Sequence, residues 1–158
     1  MKYIFIDTNV FLHFQDFRKI DWNKEAKAKE CTLILAPIVL DELDEKKIGT
    51  SRIGKKARQV LKAIEDLIDK AVLNETVRFE VLLEKPMQRI YDENELNFKE
   101  PDHRLFASII DFKEKKQVDD ILLCTNDVGP RLRAKQYGFA LLNLSEKYLL
   151  PEDRKSVV

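Results

Sequence analysis

The sequence is poor in the residues that most often mark a site. Its 158 residues include only two cysteines and two histidines, and 28 basic residues are cancelled by 28 acidic ones. Cys31 and Cys124 fall at the ends of apolar, strand-like runs. They lack the spacing of a disulfide framework or a zinc site and have no catalytic histidine motif nearby, so they read as reduced, packed thiols of a cytoplasmic protein. His13 and His103 have no partner at ligand spacing, which leaves them surface or helix-end roles. No stretch approaches the length of a membrane span, and an acid at position 7 stands where a signal peptide would need a long apolar run. Zero net charge supplies no global field to gather a polyanion. Repeats and low-complexity tracts are lacking too.

What is present suffices for one core. With 44% hydrophobic and 35% charged residues, the chain can bury a single domain interior and has no room for two. Strand-like segments at 2–6, 32–36, 77–83, 120–124 and 139–142 are separated by helical patterns, which predicts an α/β fold around a mostly parallel sheet. A long helix is expected after a Thr50-Ser51 cap, with the apolar stripe Ile53, Ala57, Val60, Leu61, Ile64, Leu67, Ile68 and Ala71. Residues 91–100 read as a polar, acidic loop and a mobile rim. The tail from Pro151 reads as loosely ordered.

Four acids stand out against this background. The run Lys2–Ile6 delivers Asp7 at a strand's carboxyl end, where open α/β sheets bind ligands. The run 120–124 repeats the design and leads to Asp127 at a helix start. Pro37 opens a helix on which Ile38, Val39, Glu42, Leu43 and Lys46 share one face, so Glu42 points with the apolar residues while Asp41 and Asp44 point elsewhere. Asp102 occupies the first turn of a helix whose stripe is Leu105, Phe106, Ile109 and Ile110. An aspartate at a helix start commonly serves as a cap, and Glu42 could pair with a lysine. Taken jointly, the four are better explained as one site.

The segments 6–10, 37–44, 102–105 and 124–128, with Ala134 and Gly138 following, resemble in order and spacing the motifs of PIN domains, most of all those joined to PhoH-like ATPases. The resemblance runs from residue 2 to about 145. It implies a three-layer α/β/α sandwich with a mostly parallel central sheet, and a nuclease domain at 1–145 followed by a 146–158 tail where a longer protein was cut. It also implies a metal-dependent nuclease acting on single-stranded RNA. Metal-binding and catalytic roles pass to Asp7, Glu42, Asp102 and Asp127, and supporting roles to Asn9, Thr125 and Asn126. His103 stands where many relatives carry another acid or asparagine, so one or two ions remain open. Hard carboxylate oxygens suit Mg²⁺ or Mn²⁺, either of which supplies charge neutralisation and an activated water for phosphodiester hydrolysis.

Phosphate contacts are expected from Arg52, Arg104 and Lys46. The cluster Lys46, Lys47, Arg52, Lys55, Lys56 and Arg58 is the densest basic stretch, although a solvated helix face accounts for much of it. Phe11, Phe14, Phe17 and Trp22 serve core packing before base stacking. An inhibitory protein, a fused ATPase or a second copy of the chain are the partners to consider. Two other readings remain: a non-catalytic PIN-like binding module, and a phosphatase of the haloacid-dehalogenase kind, disfavoured because Asn9 replaces that family's second aspartate.

Overall fold

In the computed structural model, which describes residues 1–154, the apolar run Lys2–Ile6 forms β1 and lies at the centre of the sheet. On one side it pairs in parallel with β2 (Cys31–Leu35), on the other with β5 (Ile121–Cys124). β4 (Val77–Val81) extends the β2 side in parallel, β3 (Val72–Asn74) adds an antiparallel edge, and β6 (Ala140–Leu142) pairs in parallel with β5. The spatial order is β3-β4-β2-β1-β5-β6. The chain therefore builds outward from β1 through β2 and β4, then crosses back to place β5 on the opposite side. That reversal, at the carboxyl ends of β1 and β5, is where such sheets open a crevice.

Helices complete the α/β/α sandwich: α1 (Thr8–His13), α2 (Trp22–Ala26), α3 (Pro37–Lys46), α4 (Arg52–Leu67), α5 (Gln88–Glu93), α6 (Pro101–Lys116) and α7 (Val128–Gln136). All five β2 residues are buried, as a strand covered on both faces requires. Phe11, Phe14, Phe17 and Trp22 are core residues, between 0% and 3% exposed. Trp22 is wholly buried and donates its indole N–H to the Phe17 carbonyl at 2.8 Å, which satisfies the one polar group it brings inside. Cys31 and Cys124 are free and buried. No helix among the described residues is long and apolar enough to cross a membrane.

Three expectations need correction. The α4 stripe stops at Leu67: Ile68 is 55% exposed, and Ala71 adopts φ 56°, a left-handed geometry that ends the helix and turns the chain into the unanticipated β3. The cap is as expected, Ser51 accepting from the Gly54 N–H at 3.1 Å. Residues 91–100 are not a free rim, because Tyr91 lies in α5, and both it and Leu96 are buried. The C-terminal segment is docked as far as it is described. Phe14 bridges Leu149, the Leu150 N–H reaches the His13 carbonyl at 3.0 Å, and Asp153 receives His13 Nδ1 at 2.8 Å. Residues 155–158 of the expected loose tail lie outside the described residues.

Candidate functional site

The crevice is built from the ends of β1 and β5. The Asp7 N–H donates to the Cys124 carbonyl at 3.0 Å, tying the two strand ends together just where each chain segment turns into a helix. Asp7 occupies the N-cap position of α1, yet its side chain does not cap the helix. It accepts instead from the Thr125 hydroxyl at 3.0 Å, and Thr125 is 1% exposed. Asp127 holds the corresponding position at α7, is exposed, and likewise makes no capping bond. Its carboxylate accepts from Asn9 Nδ2 at 2.5 Å. The capping explanation therefore fails for both strand-end acids.

The helices bring the other two. Glu42 lies on the inward side of α3 and accepts from the buried Thr8 hydroxyl at 3.0 Å, whereas Asp41 and Asp44 are exposed. Asp102, in the first turn of α6, is held by Arg133 of α7 through Nε at 2.7 Å and Nη2 at 2.5 Å. Asn126 fixes the loop between Thr125 and Asp127, since its amide exchanges two hydrogen bonds of 3.3 Å with the Leu144 backbone.

The electrostatics follow from this crowding. Burial pushes the Asp7 carboxyl up to about 6; the Thr125 hydrogen bond opposes this, and the charges of Glu42 and Asp102 reinforce it. The Glu42 carboxyl is raised as well, first by burial, with Asp102 and Glu45 adding to the effect while Thr8 and Lys46 counter it. Among the described residues neither Asp7 nor Glu42 makes an ion pair. Opposite charge is what such a pair of carboxylates lacks.

Asp7, Glu42 and Asp102 thus share one electrostatic neighbourhood, with Asp127 joined to it through Asn9. Among the described residues, however, no three His, Cys, Asp or Glu side chains converge closely enough to hold one ion. The geometry accounts for this, because Asp102 is turned to Arg133 and Asp127 to Asn9. The donor chemistry fits a hard divalent cation all the same: every donor is a carboxylate, and the hydroxyls on Asp7 and Glu42 leave most of their oxygen lone pairs open.

The cations expected at the substrate are placed differently. Arg52 is committed to Asp153 through two hydrogen bonds of 3.0 and 3.1 Å. Arg104 pairs with neither Asp102 nor Glu100; its Nε donates to the Phe98 carbonyl at 2.7 Å and its guanidinium lies 4.2 Å over the Phe98 ring. Lys46 ends α3, is exposed, and stands close enough to lower the Glu42 carboxyl. His103 accepts the Asn97 N–H at 2.9 Å and packs against Phe106 and Tyr137, so it does not face the acids. Thr8 and Arg133 are not among the residues expected at the site. Thr8 was legible as the residue between two site positions; Arg133 had only the basic character of its helix to mark it.

Comparison with known proteins bears on the family and the fold. The PIN domain family profile matches residues 4–145. Among solved structures, the chain is similar to a domain of a functionally unknown protein from Methanocaldococcus jannaschii DSM 2661, at 20% identity over 100% of this chain and 99% of that one, with a TM-score of 0.58. It is also similar to the PIN domain endonuclease Utp24, at 19% identity over 99% of this chain and 95% of that one, with a TM-score of 0.50. At these identities the likeness concerns the fold. No curated protein matches the sequence.

Proposed function

The chain belongs to the PIN domain family, and from that premise we propose that it is a divalent-metal-dependent ribonuclease that hydrolyses phosphodiester bonds of single-stranded RNA. Asp7, Glu42, Asp102 and Asp127 are the residues that would hold Mg²⁺ or Mn²⁺. When bound, the ion supplies Lewis acidity and charge neutralisation at the phosphate. The chain's own groups prepare the site. Thr125 and Thr8 aim the Asp7 and Glu42 carboxylates without neutralising them, Asn126 keeps the intervening loop in place, and Asn9 engages Asp127 when no ion does. The observation that carries the reading is Asp7: a carboxyl pushed up to about 6 by burial and by two neighbouring acids, with a neutral hydroxyl as its donor and no basic side chain paired with it.

One observation favours a second reading. The Arg133 pair on Asp102 is also what a non-catalytic PIN-like module would display, its acid neutralised from within. The motif resemblance supports a PhoH-like ATPase or an inhibitory protein as partner, and the two free, buried cysteines support a cytoplasmic setting.

The test uses end-labelled single-stranded RNA and the matching DNA, incubated with Mn²⁺, Mg²⁺ or EDTA, beside Asp7→Asn. Metal-dependent cleavage of RNA that the variant loses is the expected result. Metal binding without cleavage of either strand would transfer the weight to the non-catalytic module, and cleavage that survives in EDTA would refute the metal role.

A further inference from the structure

Beside the acids lies a cleft of about 750 Å³ that begins at Asn9 and Asp127 and is walled by Arg131 of α7, Lys147 and Arg154. We propose that it is a subsite for the nucleotide adjoining the scissile phosphodiester, with the Arg131 guanidinium on that nucleotide's phosphate. This rests on the ribonuclease reading and extends it to residues that neither motif nor family assigns.

Charge supports the assignment first. Among the described residues Arg131, Lys147 and Arg154 make no ion pair. Of the acids in the same wall, Asp153 is already answered by His13 and Arg52, and Asp127 is engaged by Asn9. Glu146 is then the one acid of the wall left without such a partner, against three cations. Hydrogen bonding supports it second. Arg131 Nε is buried and has no hydrogen-bond partner, an exception for a charged donor, which is ordinarily paired. A phosphate matches a guanidinium through two parallel N–H···O bonds, and a turn of the Arg131 side chain toward the cleft it lines would give the buried Nε the partner it lacks. Position supports it third, because the cleft shares Asn9 and Asp127 with the acid site. A strand whose scissile phosphate sits on the acids has this cleft as its neighbour. A second cleft of about 580 Å³ on α4, lined by Lys55, Lys56 and Lys62, includes none of the four acids.

The experiment measures fluorescence anisotropy of a labelled eight-nucleotide single-stranded RNA against the Asp7→Asn protein, which should bind without cutting, over a series of salt concentrations. Adding Arg131→Gln should weaken binding about tenfold and reduce the slope of log K against log[salt] by about 0.7, the amount expected for one phosphate contact on a single strand. Arg131→Lys should keep the slope, and Lys55→Gln on the α4 cleft should leave affinity nearly unchanged. Melting curves and Mn²⁺ binding by the otherwise wild-type Arg131→Gln protein establish that α7 and the acid site are intact. Unchanged affinity and slope in Arg131→Gln, or an equal loss in Lys55→Gln, would overturn the subsite while leaving the nuclease reading standing. Failure of the wild type to cleave RNA with any metal would strike that reading first and the subsite with it.

Discussion

Asp7→Asn should make the metal-free protein more stable, and by an amount that depends on pH. The folded chain holds the Asp7 carboxyl at about 6 against an ordinary 3.8. Folding therefore retains a proton that the unfolded chain releases earlier. The contribution is fully favourable below the ordinary value and is lost as pH rises through about 6. By linkage the displacement corresponds to about 3 kcal/mol at neutral pH, and solvent reaching the half-buried carboxylate reduces this to about 1–3 kcal/mol. Asparagine keeps the shape and can still accept from Thr125, so it should recover most of that amount. For a chain of this length the gain is about 3–9 °C in melting temperature. The assay is a pair of thermal melts in EDTA at pH 7.5 and pH 4.5. The variant should melt higher at pH 7.5, and the gap should shrink to about a third at pH 4.5, where the folded carboxyl keeps its proton and the pH is close to the ordinary value at which the unfolded carboxyl is half protonated. Saturating Mn²⁺ should then raise the wild type by mass action and leave the variant nearly where it was. A variant that melts lower at pH 7.5, or a gap indifferent to pH, would refute the electrostatic account and make Asp7 a structural residue.

Arg133→Gln removes the cation that competes for Asp102; because the pair is half-exposed and worth at most about 1 kcal/mol, Mn²⁺ affinity by titration calorimetry should rise up to about fivefold, and weaker binding would show that Arg133 supports the ion instead. Asp153→Ala should lower the melting temperature at pH 7 by about 3–6 °C, equivalent to about 1–2 kcal/mol for the lost charge-assisted bonds to His13 and Arg52. Burial works against the Asp153 charge, but those partners win and hold its carboxyl below the ordinary value, so the deficit should fade as pH falls through that lowered range. An equal deficit at low pH would point to packing as the cause.

How much of this could be read beforehand depended on range. The sheet was legible because the apolar runs that become β1, β2, β4 and β5 are self-contained signals bounded by turn residues, and Pro37 and Pro101 announce helices at the first helical position. β3 was not, since its three residues are mostly exposed and follow an apolar helix stripe without a break in composition; the break is the backbone of Ala71, not its side chain. The positions of the four acids at strand ends and helix starts could be inferred locally. Their partners could not. Thr125 and Asp7, Thr8 and Glu42, and Arg133 and Asp102 are separated by 118, 34 and 31 residues, and nothing in a single sequence reports such pairings. The same limit assigned Arg52 to substrate when its nearest anion, Asp153, comes from a tail that no pattern marked as docked.

Those partners also divide the four acids into two kinds, and the division bears on how the site works. Asp7 and Glu42 receive neutral hydroxyl donors from buried threonines, which fix direction while leaving the charge uncompensated. Asp102 receives a guanidinium, which compensates it, and Asp127 an exposed amide that shares an exposed surface with solvent. An uncompensated, half-buried pair is the costly part of the site, and it is carried at the end of the sheet's central strand and on α3, where packing can bear the cost. Asp102 and Asp127, at the starts of α6 and α7, are each held instead by an exposed side chain, one cationic and one neutral. A divalent ion drawn to Asp7 and Glu42 would therefore meet two further acids only when Arg133 and Asn9 release them. Metal affinity should then report on the strength of those two contacts as well as on the number of carboxylates. Loosening both with Arg133→Gln and Asn9→Ala should raise Mn²⁺ affinity by more than either change alone, and simple additivity of two null effects would show that the acids reorient freely.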